Sequence, residues 1–384
     1  MTTVVRPGEW LGLLGGGQLG RMFTAAAQRL GYRVIVLDPD EHSPAGCVAD
    51  AHLCADYRDP SALRSLAERA RAVTTEFENV PAASLEALAE HCKVAPASSV
   101  VAVAQDRRRE KSFVGELGIA VTPYAEIASA EDASHADEAL FPGLLKSARL
   151  GYDGKGQIAV QGRSEARAAF ERLGGEPCVL ERRLELDREL SVVFARTADG
   201  EAVCFPCAEN SHRDGILDVS LIPARISTDL AARARAAALR IGEALGVVGV
   251  MCVEFFQTTD GKLYVNELAP RPHNSGHATI EACVTSQFEQ QVRVLAGLPL
   301  GSVELLRPAV MVNLLGDIWF RGGATRPVEP DWAAVLRCPR VALHLYGKRE
   351  PRVGRKMGHF TCLGGTLEEA VAVAATARAQ VEQV

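Results

Sequence analysis

Short apolar runs alternate with helix-period stretches through the first hundred residues, and no other feature narrows the fold as far. Residues 10–14 (WLGLL) are apolar and brief, as a strand buried on both faces should be. A helical pattern over 18–30 follows and stops at Gly31, a residue suited to the left-handed position that ends a helix. Then come a strand over 32–37, a helix near 61–70, a strand over 72–76 and a helix near 82–91. Strands separated by helices predict a parallel, doubly wound α/β sheet.

The turn after the first strand reads GGGQLG over 15–20, and Asp38 stands 18 residues beyond Gly20 at the end of the second strand. This is the dinucleotide-binding fingerprint, and alone it predicts an NAD-dependent dehydrogenase. A glycine-rich strand-to-helix turn also faces other phosphates and carboxylates.

From about residue 105 the pattern becomes α+β. It gives a helix over 105–117, a strand carrying Lys146, a glycine-rich loop over 151–156 and a strand over 157–160. A helix near 165–173, a strand over 178–184, Glu189 opening a strand over 190–196, and a helix over 229–245 capped by Thr228 follow. From about 295 the chain is mostly strand-like, with a last helix near 367–380. These patterns divide the chain at 1–104, 105–295 with a subdomain at about 120–185, and 296–384.

Two strand-like runs, VMCVEFFQ and KLYVNEL, meet at Asp260-Gly261, a strong hairpin signal. A two-residue loop there pairs Thr259 with Lys262 and sets Glu254 opposite Glu267; a four-residue loop keeps that register and a three-residue bulged loop does not. Opposed residues have Cβ atoms about 4.5–5.5 Å apart, where like charges repel. Such a pair needs a proton or a cation, unless both glutamates are simply solvated. With Asn266 adjacent, the two carboxylates suit Mg²⁺ holding a nucleotide triphosphate.

Three further segments carry chemistry. Gly151, Gly154 and Gly156 let backbone N–H groups approach an anion, and Lys155 adds charge at the tip. With Lys146 on the preceding strand this resembles a nucleotide clamp, although no Walker A sequence is present. Five Lys or Arg within 348–356 suit a phosphate monoester and are too local and too poor in aromatics for nucleic acid. Arg271, His273 and Asn274, just past the hairpin, suit a small oxyanion.

A net charge of −6 argues against a general polyanion binder. No run of about 18 apolar residues and no secretory pattern are visible, so neither a membrane span nor export is expected. Ten scattered cysteines, with only Cys204 and Cys207 in a CxxC, fit a reducing cytoplasm.

Taken together the segments resemble the ATP-grasp superfamily and, within it, the 5-(carboxyamino)imidazole ribonucleotide synthetases of purine biosynthesis. The carriers are GLLGGGQLGRM (12–22), EFENV (76–80), QDRRREK (105–111), GYDGKGQ (151–157), ENSHRDGIL (209–217), VNELAPRPHNSGH (265–277) and HLYGKREPRVGRKMGH (344–359). The resemblance implies an ATP-grasp fold preceded by a Rossmann-like domain and followed by a small, mostly β domain. It implies carboxylation of aminoimidazole ribonucleotide with ATP and bicarbonate through carboxyphosphate, with Mg²⁺ as cofactor, in a homodimer that binds neither nucleic acid nor membrane.

Residue by residue, the resemblance puts Arg107, Lys146 and the loop Gly151, Tyr152, Asp153, Gly154, Lys155, Gly156 and Gln157 on ATP phosphates. Glu181, Arg182, Arg183 and Leu184 would line adenine, largely through backbone groups. Glu189 would take the ribose, with His212 and Asn266 also facing the nucleotide and Glu254 and Glu267 ligating the metal. Gln18, Leu19, Glu76, Tyr152, Asp153, Arg271, Lys348 and Arg355 would hold the ribonucleotide. Arg271, His273, Asn274 and Lys155 would serve the carboxyl transfer, and Asp153 would take the amine proton. Asp214 departs from the family pattern, and an acid there would alter the nucleotide pocket beside His212. A formate-dependent glycinamide ribonucleotide transformylase is the alternative within the superfamily, but its first loop resembles GELGKE rather than GQLGRM. A catalytically silent binding protein on the same fold is the remaining alternative, and both glutamates and Lys146 argue against it.

Overall fold

The computed structural model describes residues 4–151 and 155–382. Five parallel strands form the N-terminal sheet in the order Ala51–Leu53, Arg33–Leu37, Trp10–Leu14, Ala72–Thr75, Lys93–Val94. The expected doubly wound sheet is present, with Trp10–Leu14 at its centre. Side chains alternate across a strand. Leu11 and Leu13 join Phe23, Val34 and Val36 on one face, while Leu14, Ile35, Leu37 and Val73 pack under Leu63 and Leu66 on the other.

The first of those faces is also covered by the helix Gln287–Ala296, through Phe288, Val292 and Leu295. Polar ties fix that helix to the sheet: Lys93 Nζ donates to the carbonyls of Val294 and Leu295 at 3.1 and 3.0 Å, and Gln291 to Thr74 Oγ1 at 3.1 Å. The N-terminal sheet is thus welded to the rest of the chain.

A nine-stranded sheet forms the body, running Leu263–Ala269, Gly249–Thr258, Leu186–Arg196, Ala208–Arg213, Ile216–Ile222, Ala309–Leu315, Lys356–Leu363 and Val341–Leu345, with Ala202–Cys204 paired beside Leu186–Arg196. Ile216–Ile222 pairs antiparallel with Ala309–Leu315, so the C-terminal strands extend the same sheet. Ser227, rather than Thr228, caps the helix Thr228–Ala244, accepting from Leu230 N at 3.2 Å. A separate four-stranded antiparallel sheet, ordered Tyr124–Ile127, Cys178–Arg182, Gly143–Ser147, Gln157–Val160, overhangs the body.

The Asp260-Gly261 hairpin differs from expectation in a way that preserves its consequence. Thr258 N donates to Lys262 O at 3.0 Å and Gly261, at φ +79°, donates to Thr258 O at 2.9 Å, so the loop holds three residues. Phe255 accordingly pairs with Val265, one residue off the expected register. Asn266 then forms a β-bulge, and Glu254 faces Glu267 after all. A bulge also re-aims side chains. Asn266 and Glu267, although consecutive, therefore both line the same cleft.

Asp214 and Gly215 have φ of +52° and +77° between the paired residues Arg213 and Ile216. They are the two central residues of a tight hairpin, the type for which Asp-Gly is favoured. Asp214 is exposed, and Gly215, not Asp214, lines the cleft.

Candidate active site

A cleft of about 870 Å³ opens where the N-terminal loops, the overhanging sheet and the body meet. Along Gly249–Thr258, Val253 and Phe255 enter the core while Glu254 and Phe256 face the cleft. Asn266 Nδ2 donates to Glu254 Oε2 at 3.3 Å, and His273 Nε2 lies 3.2 Å from Glu254 Oε1. Burial, then the facing Glu267, push the Glu254 carboxyl up to about 7. Glu267 is more open and lies 3.5 Å from Arg107 Nη1.

Among the described residues no group of three or more His, Cys, Asp and Glu is disposed to hold a metal ion. Mg²⁺ does not require one, since it is commonly held by one or two carboxylates plus substrate phosphates. The opposed pair fits that donor set: the two carboxylates face each other across the strands, and the Asn266 Oδ1 beside them is buried without a protein partner.

Facing these glutamates is a cationic wall. Lys146 Nζ lies 2.8 Å from Glu181 Oε2, and Lys111 Nζ lies 3.1 Å from Glu181 Oε1. Arg107, at the start of the helix Arg107–Glu116, donates to Gly151 O at 3.4 Å. Deeper along the cleft, His212 Nδ1 lies 2.9 Å from Glu189 Oε2. Burial opposes the imidazolium there, but the Glu189 carboxylate outweighs it and raises the His212 pKa.

On the other side Glu76, nine-tenths buried, accepts from the backbone of Gly17 and, at 2.7 Å, of Gly20. Asp38 accepts from Gly16 N and from Tyr57 Oη, each at 2.6 Å. A Cβ on Gly17 would come within 2.4 Å of the Glu76 carboxylate. The glycine turn is therefore shaped to admit the protein's own carboxylates. Its N–H groups at 16, 17 and 20 are spent, and Asp38 is spoken for, so the fingerprint does not form a dinucleotide site. Arg271 is paired with Glu78 through Nε and donates from Nη1 to Pro272 O at 3.1 Å. Asn274 is buried, and neither of its amide atoms has a protein partner.

The cleft is lined by Gln18, Leu19, Glu76, Arg107, Lys146, Lys155, Gln157, Arg183, Glu189, His212, Glu254, Asn266, Glu267, Arg271, His273 and Asn274, all named from sequence. Tyr152, Asp153 and Gly154 lie outside the described residues. Gly151 borders a small crevice beside Arg107, and Gly156 O accepts from Ser147 N at 2.8 Å.

Other expected residues are placed elsewhere. The Glu181 side chain is 2% exposed and serves as counter-ion to two lysines. The N–H groups of Arg182 and Arg183 donate to Pro123 O and Pro142 O, each at 2.9 Å, so they are not available to read a base. Arg182 and Leu184 do not line the cleft, whereas Leu144 and Leu186 do. Lys348 Nζ turns to Lys356 O at 2.7 Å, although its charge still acts on Glu76, and Arg355 turns to Glu350 O at 2.7 Å. Lys356 is the member of the basic cluster that lines the cleft. Glu78 was not picked out from sequence; its only signal was its place two residues after Glu76 in EFENV.

Three family models match successive parts of the chain: a ribonucleotide synthetase preATP-grasp domain over 9–105, an ATP-grasp domain over 112–288, and a phosphoribosylaminoimidazole carboxylase C-terminal domain over 309–372. The N5-carboxyaminoimidazole ribonucleotide synthase of Brucella melitensis is 45% identical over 363 residues, 94% of this chain and 97% of the relative. A crystal structure of an N5-carboxyaminoimidazole ribonucleotide synthetase with ADP superimposes with a TM-score of 0.91 at 40% identity, over 100% of both chains. The Aspergillus clavatus N5-carboxyaminoimidazole synthase, in complex with ADP and 5-aminoimidazole ribonucleotide, gives 0.88 at 31% identity over 98% of this chain and 100% of that one.

Proposed function

The chain belongs to the N5-carboxyaminoimidazole ribonucleotide synthases, ADP-forming ATP-grasp ligases of purine biosynthesis, and from that premise we propose how its own residues divide the work. Lys146 and Arg107 hold the triphosphate, and Glu189 with His212 hold the nucleoside. Glu254 and Glu267, steadied by Asn266, hold Mg²⁺, which when bound neutralises charge on the transferring phosphoryl group. Glu76, with Lys356 and Lys348 at the phosphate end, holds 5-aminoimidazole ribonucleotide. Arg271 and Asn274 receive bicarbonate.

A bicarbonate oxygen attacks the γ-phosphorus, the bond to the bridging oxygen breaks, and ADP leaves. In the resulting carboxyphosphate the carboxyl carbon is taken by the exocyclic amine, directly or as CO₂. The carbon–oxygen bond breaks, phosphate leaves with the electron pair, and the amine gives up one proton. Exclusion of water from the cleft during turnover would protect this short-lived anhydride. The observation that best supports the assignment is that the opposed glutamates, Lys146, Arg107 and Lys356 line one cleft.

ADP formation in bicarbonate buffer tests it. The rate should rise strongly on addition of 5-aminoimidazole ribonucleotide, with one carboxylated product per ADP. No stimulation at any concentration would sink the substrate assignment, and reduction of added NAD would revive a dehydrogenase. Lys356→Ala should raise the KM for the ribonucleotide about 10–100-fold, the worth of a hydrogen bond to a charged group. A loss confined to ATP would move Lys356 to the wrong end of the cleft. The proposal carries with it a cytoplasmic homodimer, for which sedimentation of the purified protein is the direct measurement.

A further inference from the structure

His273 meets Glu254 with a ring nitrogen whose hydrogen is decided from behind. The opposite nitrogen, Nδ1, lies 3.3 Å from the backbone N–H of Ser275, which can only donate. Nδ1 is therefore an acceptor, and the Ser275 hydroxyl, 2.8 Å away, donates to it as well. A run of buried side chains continues the pattern. Ser191 Oγ donates to Ser275 Oγ at 2.7 Å, Asn210 Nδ2 donates to Ser191 Oγ at 3.0 Å, and Ser220 Oγ donates to Asn210 Oδ1 at 2.7 Å. None of the four is more than 5% exposed. The strand register puts Ser220 opposite Asn210, and Ser191 opposite Glu254 itself, so the run crosses the sheet directly beneath the 3₁₀ turn Asn274–Gly276.

An imidazole whose Nδ1 accepts from a backbone N–H carries no proton on that nitrogen, so the ring is neutral. A neutral ring with Nδ1 accepting carries its proton on Nε2, 3.2 Å from Glu254 Oε1. We propose that Ser275, backed by Ser191, Asn210 and Ser220, is a positioning residue that fixes the Nε2–H tautomer of His273 and through it the orientation of the Glu254 carboxylate. Glu254 is then gripped by two donors, His273 at one oxygen and Asn266 at the other, with its remaining lone pairs presented to the cation. The inference rests on Glu254 being a cation ligand. Partners behind a metal's ligands typically change metal affinity about 10–100-fold when removed.

The test uses the full chain, ¹⁵N-labelled and metal-free, with the His273 signals assigned by their loss in His273→Asn. In the wild type Nδ1 should resonate as an unprotonated and Nε2 as a protonated nitrogen. In Ser275→Ala both resonances should move toward tautomer averaging, and Ser191→Ala should move them the same way by less. The half-saturating Mg²⁺ for ADP formation should rise about tenfold in Ser275→Ala, with ATP KM at saturating Mg²⁺ little changed. A serine that merely packs would lower thermal stability and leave the nitrogen resonances where they are; that result overturns the proposal, as does a wild-type Nδ1 that is protonated. Altered resonances with an unaltered Mg²⁺ requirement overturn the link to Glu254. If the wild type forms no ADP in response to the ribonucleotide, the functional assignment fails instead, and the spectra still decide the tautomer.

Discussion

Glu267→Gln is expected to lower turnover by about 10²–10³-fold at saturating Mg²⁺, the scale of losing one preorganised electrostatic contact at a transferring group. The fold should survive. Glutamine keeps the shape, and the Arg107 contact it gives up is a 3.5 Å pair with Glu267 about one-third exposed, where ion pairs contribute little. It also removes a repulsion. In the metal-free protein Glu254 keeps its proton up to about pH 7, against an ordinary 4.5 in the unfolded chain. Over that interval the folded state binds the extra proton, so this group's contribution to stability is full below 4.5 and is lost as pH rises to about 7. Removing the Glu267 charge should flatten that decline without abolishing it, because burial is the larger cause and remains. Unfolding midpoints of the two proteins across pH 4.5–8 without metal, compared as a difference, read this directly. Near-native turnover of Glu267→Gln in excess Mg²⁺ would refute the ligand assignment.

The same pair shows how far the sequence could be read. Alternating runs revealed both strands, and the Asp260-Gly261 dipeptide located their junction. The loop is nevertheless one residue longer than expected, and the bulge at Asn266 gives that residue back. The opposition of Glu254 and Glu267 was thus anticipated from a register that holds over only part of the hairpin. The parallel sheet was legible because a buried strand writes its environment into five consecutive residues. The purpose of the glycine turn was not, because the carboxylate that fills it arrives from 59 residues away. Glu78 and Arg271 meet across 193 residues, and no local periodicity encodes such a meeting. Lys348 and Lys356 are equivalent in composition. The strand that begins at Lys356 decides which of them lines the cleft.

Glu181 and Lys146 should fail in opposite ways. One carboxylate here answers two ammonium groups, with Glu181 and Lys111 at 2% and 1% side-chain exposure and Lys146 at 9%. Burial opposes the Glu181 charge, but Lys146 and then Lys111 outweigh it and hold the carboxyl at about 2. Its contribution is therefore complete above the unfolded value near 4.5 and fades only as pH falls toward 2, so at neutral pH it is fully present. Glu181→Gln strands two buried cations and should cost about 3–5 kcal/mol of stability, the usual loss when one partner of a buried pair is removed. Lys146→Met leaves a balanced Lys111–Glu181 pair and fills a similar volume, so its cost should stay below about 1.5 kcal/mol. Yet it removes the ammonium that we propose holds the triphosphate, and the KM for ATP should rise about 10–100-fold. Guanidinium unfolding midpoints and ATP saturation curves, measured on both variants, separate the residue that holds the wall from the residue that acts. A Glu181→Gln midpoint equal to wild type, or a Lys146→Met enzyme with wild-type ATP saturation, would show that the wall is not organised around this one carboxylate.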